Sequence, residues 1–152
     1  MSEHRVTVDW RRRTPDFSYP TYNRDHTWVF EGGAVVEASA APGYKGNAEK
    51  VDPEEAFVAA LSSCHMLTFL ALCTKKKLIV DRYVDHAVGT LGKNQQGEQA
   101  VTRVVLRPEI TFGEGGSPSS ADLETLHHDA HDLCFIANSV TTEVTVESPV
   151  RR

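Results

Sequence analysis

Cysteine is scarce in this chain, which contains three in 152 residues. Small secreted domains that depend on disulfide bonds have more cysteines, and an even number of them, so a disulfide framework is excluded. The first residues show neither the apolar segment nor the small-residue cleavage site of a signal peptide. We therefore expect a cytoplasmic protein, in which cysteines that pair are more often catalytic than structural.

Positive charge is also limited. The sequence has 16 Lys and Arg against 21 Asp and Glu, a formal net charge of −5, so nucleic acid is not expected as a partner. The basic cluster Arg11–Arg13 is typical of a solvated strand end. Serine hydrolases and P-loop proteins are excluded as well, because there is neither a Gly-x-Ser-x-Gly motif nor a glycine-rich phosphate loop. We expect no cofactor.

One stretch, residues 56–74, lacks formal charge and is followed by three lysines, as in a short membrane span. However, Ser62, Ser63 and His65 lie near its middle. A helix covered on all sides by protein needs the same apolar surface, so we expect no membrane partner. A second subunit could cover so long and apolar a helix, which favours a homodimer.

The order of elements predicts an α+β fold of mostly antiparallel sheet, formed by residues 1–152 as a single domain. Alternation at Val6, Val8 and Trp10 predicts a strand, and a hairpin turns at Gly32–Gly33. The remaining predicted elements are a long helix, two long strands, a second helix and a last strand, at residues 53–76, 78–91, 101–112, 121–133 and 138–148.

The long helix has a clear start. Asp52 can cap it, Pro53 suits its first position and Glu55 completes a capping box. Ser62–Ser63 leaves open whether the helix is continuous or broken at that point. One face is traced by apolar and small residues at spacings of three or four: Phe57, Leu61, Cys64, Thr68 and Leu72.

The three cysteines could have different roles. Cys73 follows Cys64 by nine residues, half a turn out of phase, so it is expected in the core. His127, His131 and Cys134 are spaced to share a helix face and could bind zinc if a fourth ligand came from Cys64 or His65. Core packing, a reactive thiol and a metal site all remain open at this point.

Several motifs resemble the OsmC/Ohr family (osmotically inducible protein C and organic hydroperoxide resistance), in its OsmC-like branch. They are "YNRDHTWVFEGG", "GNAEKVDPEE", "PEEAFVAALSSCHMLTFLAL" and "HDLCFIANSV". The resemblance implies a thiol-dependent peroxidase that reduces organic hydroperoxides at the expense of an external dithiol. It also implies an intertwined homodimer, with the sheet wrapped around a long central helix.

The resemblance also implies roles for four residues. Cys64 matches the cysteine that attacks the peroxide, and Cys134 matches the resolving cysteine. Arg24 matches an arginine near the thiolate, and Glu54 matches the glutamate that pairs with it. Because Glu54 precedes Cys64 by ten residues, about 15 Å of straight helix, this contact requires a helix break or the other subunit. A non-enzymatic thiol redox sensor would share every one of these motifs.

Overall fold

The computed structural model describes residues 1–147 of the 152. They form a mixed α+β fold with two α-helices and eight strands, which confirms the predicted class. By internal contacts the chain divides into two compact units, residues 1–56 and the remainder from Phe57 onward.

The first unit contains a three-stranded antiparallel sheet. Its strands β1 (Val6–Asp9), β2 (His26–Phe30) and β3 (Val35–Ala38) are ordered as in the sequence. The predicted hairpin is confirmed: Gly33 has a φ of 84°, a conformation that glycine adopts without steric cost. The loop between β1 and β2 carries Arg24.

The long helix α1 (Pro53–Lys75) begins with the predicted capping box. The Glu55 N–H donates to Asp52 Oδ1 (2.8 Å), and the Asp52 N–H donates to Glu55 Oε2 (3.2 Å). The helix is continuous through Ser62 and Ser63, so it is not broken at the two serines. Ser62 directs its hydroxyl to Asp85 Oδ2 (2.5 Å), so it does not compete for the helix backbone.

The buried stripe of α1 consists of Leu61, His65, Phe69 and Cys73. From His65 onward this stripe lies one position further along the helix than the predicted face. The prediction missed it because hydropathy did not identify a histidine as a core residue. Cys73 is in the core, as predicted, whereas Cys64 lies at the edge of the stripe and is partly exposed.

In the second unit, the region predicted to form two long strands forms four shorter strands. Strand β4 (Val80–Asp85) pairs antiparallel with β7 (Pro108–Phe112). Strand β5 (Val88–Lys93) pairs antiparallel with β6 (Gln99–Leu106), which pairs in parallel with β8 (Glu143–Val146). The prediction of two uninterrupted strands was therefore wrong.

Asp85 explains where these strands are interrupted. Its Oδ1 accepts the backbone N–H of Arg107 (2.6 Å), so this N–H, at the junction of β6 and β7, is bonded to a side chain. The next residue, Pro108, has no N–H to give to a sheet ladder. The chain passes from one sheet to the other here, between β4 and β5 and again between β6 and β7. The local hydropathy pattern does not indicate this change.

The second helix, α2 (Ser120–Asp132), is confirmed within one residue at each end. The Ser119 hydroxyl caps it by accepting the Asp122 N–H (3.1 Å). One buried cluster joins α1 to α2 and consists of Phe69, Cys73, Leu126 and Ala130. A second cluster joins α1 to the sheet of β5, β6 and β8 and consists of Leu61, Val104 and Leu106.

Among residues 1–147, α1 is the one helix long and apolar enough to cross a membrane, with a hydropathy of 1.9 over its most apolar window. Length and composition do not distinguish a span from the core helix of a soluble protein. Within the described chain 22% of that window is buried, and Leu61 and Phe69 are among the buried residues of the helix.

Candidate active site: a thiol pair between two helices

Cys64 and Cys134 come together in the second unit. Cys64 lies in the middle of α1, and Cys134 lies two residues beyond α2, where its N–H donates to the carbonyl of His131 (3.1 Å). Cys64 acts on the pKa of the Cys134 thiol, which makes the two side chains neighbours. All three cysteines are free, so this is a reduced pair of thiols.

The surroundings of Cys134 favour its protonated form. The residue is 1% exposed. Burial raises the pKa of its thiol, and the hydrogen bond with Cys64 raises it further, while the N–H groups of Ala137 and Ile136 act in the opposite direction. The Ala137 N–H is 3.5 Å from Cys134 Sγ. Since thiolate is the reactive form, Cys134 is poorly suited to be the first nucleophile.

Cys73 belongs to the apolar cluster with Phe69 and Leu126. Burial raises the pKa of its thiol, and only Lys76 opposes that shift. Its surroundings are those of an inert core cysteine.

Arg24 lies against aromatic rings in the first unit. Its guanidinium carbon is 3.7 Å from the centre of the Tyr22 ring and 5.2 Å from that of Tyr19. The guanidinium donates to the backbone carbonyls of Tyr22 and Tyr19, the latter at 2.5 Å. In the part of the chain that the structure describes, no ion pair joins Arg24 to Glu54. Their pairing stays a prediction.

A cavity of about 470 Å³ opens beside Arg24 in the first unit. Aromatic and small side chains dominate its walls: Trp10, Phe17, Tyr22, Arg24, His26, Ser39, Ala40 and Pro53. An apolar cavity with one cation at its wall suits a ligand with a hydrocarbon body and a polar or anionic group.

Two of the histidines, His65 and His127, are placed to form a hydrogen bond with each other. The two helices do meet, and His65 Nε2 lies 3.1 Å from His127 Nδ1. Across residues 1–147, no group of three or more His, Cys, Asp or Glu side chains is placed to hold a metal ion. The geometry therefore gives no support to zinc binding by His127, His131 and Cys134.

Sequence reasoning missed two contacts of this region, His65 with His127 and Ser62 with Asp85. Each joins residues far apart in the chain, by 62 and 23 positions. The one available signal was that His65 follows Cys64 and that α2 is rich in histidine.

Comparison with known proteins identifies relatives of this chain. The family model described as OsmC-like protein matches residues 46–148. An OsmC-like protein of unknown function from Vibrio cholerae is 50% identical, with a TM-score of 0.93 over 97% of this chain and 99% of that one. Comparison with curated protein sequences finds no match.

More distant solved structures share the fold. An organic hydroperoxide resistance protein OsmC from Legionella pneumophila is 14% identical, with a TM-score of 0.75 over 99% of this chain and 98% of that one. An organic hydroperoxide resistance protein from Elizabethkingia anophelis is 18% identical, with a TM-score of 0.72 over 97% of each chain. With the family model spanning most of the chain, the resemblance seen in the sequence is confirmed: the chain belongs to the OsmC-like protein family.

Proposed function

We propose that the protein is a cysteine-based peroxidase that reduces organic hydroperoxides to alcohols, with Cys64 as the attacking residue and Cys134 as the resolving residue. The observation that carries the proposal is the pair of neighbouring free thiols, formed by cysteines 70 positions apart (134 − 64). Membership of the family supports it, as do structural neighbours named organic hydroperoxide resistance proteins.

The reaction balances with these two cysteines and one external reductant. The Cys64 thiolate attacks the terminal peroxide oxygen, the O–O bond breaks, and the alkoxide takes a proton and leaves as the alcohol. Cys64 is then a sulfenic acid. Cys134 attacks its sulfur, which forms the disulfide and releases water. A dithiol then reduces the disulfide by two exchanges and is itself oxidised.

The environment of the three thiols supports this division of roles. Burial raises the pKa of both Cys73 and Cys134, while Cys64 is the partly exposed cysteine of the three. A peroxide can therefore reach Cys64 first. Because Cys134 lies just past the end of a helix, it needs only a local movement to reach the sulfenic sulfur.

In this proposal Arg24 stabilises the thiolate and the departing alkoxide, and Glu54 orients the guanidinium. The continuous α1 leaves Glu54 about 15 Å before Cys64 on the same helix. In the proposed homodimer, a second copy of the chain brings Arg24 and Glu54 to the Cys64 thiol. Leu67 of α1 is 61% exposed, and Val6, Val8 and Val35 of the first unit are exposed as well. Apolar surface of this kind marks an interface, which supports a homodimer.

The substrate class follows from the cavity beside Arg24. Its aromatic walls favour an alkyl or lipid hydroperoxide over hydrogen peroxide, which has no apolar group to bury. We expect the protein to act in the cytoplasm, where small and protein dithiols are kept reduced.

Turnover tests the proposal. Purified protein with excess dithiothreitol should consume tert-butyl hydroperoxide or cumene hydroperoxide over many cycles. A Cys64→Ser variant should lose turnover by at least about a thousandfold, since activity depends on the thiolate, whereas a Cys73→Ser variant serves as the matched control and should retain it. A thiol redox sensor would be oxidised once without sustained consumption. Turnover retained by Cys64→Ser would refute the proposed mechanism.

A further inference from the structure

Two buried imidazoles join α1 to α2 beside the thiol pair. His65 is 1% exposed and His127 is 5% exposed. Their rings are nearly parallel, at 12°, with centres 5.4 Å apart, and the facing nitrogens are 3.1 Å apart. Phe69, one turn after His65, stacks on His127 with ring centres 4.6 Å apart. The two histidines therefore form a polar contact inside an otherwise apolar helix interface.

This contact lies next to Cys64 along α1 and about two helical turns before Cys134 in the chain. His65 directly follows Cys64 on α1. His127 precedes Cys134 by seven residues, about 10 Å along a helix axis. The histidine pair and the thiol pair are thus two polar contacts between the same two segments, and the cluster around Phe69 and Leu126 supplies apolar packing.

Both rings are neutral at physiological pH. Burial lowers the pKa of His65 to about 4, with further lowering from His127 and His131, and Asp85 acts in the opposite direction. Burial likewise lowers the pKa of His127 to about 4. A neutral imidazole has one N–H and one acceptor nitrogen, so the contact is a single N–H···N hydrogen bond with a defined direction.

The direction of this hydrogen bond follows from the His65 ring nitrogen that takes no part in it. His65 Nδ1 is buried and has no hydrogen-bond partner among residues 1–147. A buried N–H without a partner is rarer than a buried acceptor without one, so His65 carries its proton on Nε2 and donates to His127 Nδ1. His127 then carries its own proton on Nε2, and its ring lines a cavity of about 250 Å³ together with Glu124, His128 and His131.

We propose that the His65–His127 hydrogen bond is a positioning contact that sets α2 on α1 at the height and rotation at which Cys134 meets Cys64. The proposal deepens the proposed function, since the thiol pair that it positions is the working site of that function. Neither histidine is assigned a chemical step.

Apolar packing tolerates small displacements of the two helices, whereas formation of a disulfide does not. Apolar side chains repack when helices slide or rotate slightly, at small cost. A disulfide requires Cα atoms within about 7 Å and Cβ atoms about 4 Å apart. A slip of the helices would leave two buried nitrogens without a partner, and that penalty resists movement in every direction.

The test measures how readily Cys64 and Cys134 join, without any peroxide. In glutathione buffers the protein dithiol reacts with oxidised glutathione to give the protein disulfide and two reduced glutathiones. The equilibrium constant reports the effective concentration of one thiol at the other. We expect His127→Phe, which keeps an aromatic ring and removes the acceptor, to lower this constant at least about tenfold.

Two further variants separate positioning from packing. In His127→Asn the side-chain oxygen replaces Nδ1 as the acceptor, so we expect the constant to return to within about threefold of wild type. His128→Phe changes the neighbouring, exposed histidine and should have no effect. A constant for His127→Phe within about twofold of wild type would overturn the proposal, as would equal loss in His127→Phe and His127→Asn.

A measurement on the unaltered protein covers the case in which a variant does not fold. Nitrogen-15 NMR of the imidazoles should show both protons on Nε2, and a coupling across the hydrogen bond between His65 and His127, in the dithiol and disulfide forms alike. Absence of that coupling in the folded protein would overturn the proposal.

The outcomes also distinguish this proposal from the proposed function. Wild-type protein that forms the Cys64–Cys134 disulfide in glutathione but turns over no hydroperoxide contradicts the peroxidase and leaves the positioning role standing. Wild-type protein that turns over hydroperoxide, with an equilibrium constant that His127→Phe does not change, contradicts the positioning role alone.

Discussion

Acidification from pH 7.5 to pH 5 should destabilise the protein through the two buried histidines. In the unfolded chain each imidazole has a pKa near 6.5, whereas burial lowers the pKa of His65 and of His127 to about 4. As pH falls through this window the unfolded state takes up protons and the folded state does not. The stability present above pH 6.5 is therefore lost progressively towards pH 4.

The magnitude follows from the same two values. For a pKa of 6.5 in the unfolded state and about 4 in the folded state, linkage gives a loss of about 2 kcal/mol per histidine at pH 5. Two histidines give about 4 kcal/mol, a large part of the 5–15 kcal/mol that stabilises a typical domain. Hydrogen bonds from Thr21 and Ser18 lower the pKa of Asp16, and at Asp25 burial is outweighed by the interactions with Ser39 and Lys50, which lower the pKa, so both carboxylates stay ionised at pH 5.

Urea denaturation at the two pH values, at one protein concentration and with a reductant present, measures the loss as a change in the free energy of unfolding. His127→Phe should show about half the wild-type pH dependence because one of the two titrating groups is gone. His128→Gln should show all of it, since the His128 side chain is 73% exposed. A wild-type change below about 1 kcal/mol would refute the reasoning, because each histidine alone accounts for more.

Three further predictions concern single side chains. A Cβ at Gly46 would lie 1.5 Å from a backbone carbonyl oxygen, whereas one at Gly43 would meet nothing within 4 Å; thermal denaturation should therefore show Gly46→Ala destabilised by about 3 kcal/mol or more and Gly43→Ala nearly unchanged. Cys134→Ser should retain the first attack but let Cys64 overoxidise to sulfinic acid in excess hydroperoxide, and mass mapping that instead finds Cys64 unmodified would count against the resolving role. Arg24→Ala should lower the peroxidase rate about tenfold or more at pH 7 and shift the acid limb of the pH–rate profile upward, because a neighbouring cation favours thiolate; an unshifted profile would contradict the role of Arg24.

Local signals in the sequence predicted local structure well. The capping box at Asp52 and Glu55 and the glycine turn at Gly33 each involve residues within a few positions of one another. The two working cysteines were identified by resemblance to a family, and spacing alone had left packing, thiol chemistry and metal binding open.

What was missed depends on contacts between distant residues. The strand breaks follow from Asp85, which binds the backbone of Arg107, 22 positions away. The rotation of the buried stripe follows from His65, whose burial makes sense only once His127 supplies a hydrogen-bond partner. A hydropathy pattern scores each of these polar residues as exposed, and it carries no information about a partner elsewhere in the chain.

The parallel pairing of β6 with β8 has a consequence for how the chain is made. Arg103 pairs with Glu143, 40 positions later (143 − 103), so the wall of the core that contains Val144 and Val146 is completed by the last described strand. At a synthesis rate of about 5–20 residues per second, that strand emerges from the ribosome seconds after β6. During that interval the cluster around Leu61 lacks the side chains of the last described strand. The helix that carries Cys64 is therefore incompletely packed on that side. The nascent chain therefore presents apolar surface to chaperones, and a free thiol to oxidants, until β8 has emerged.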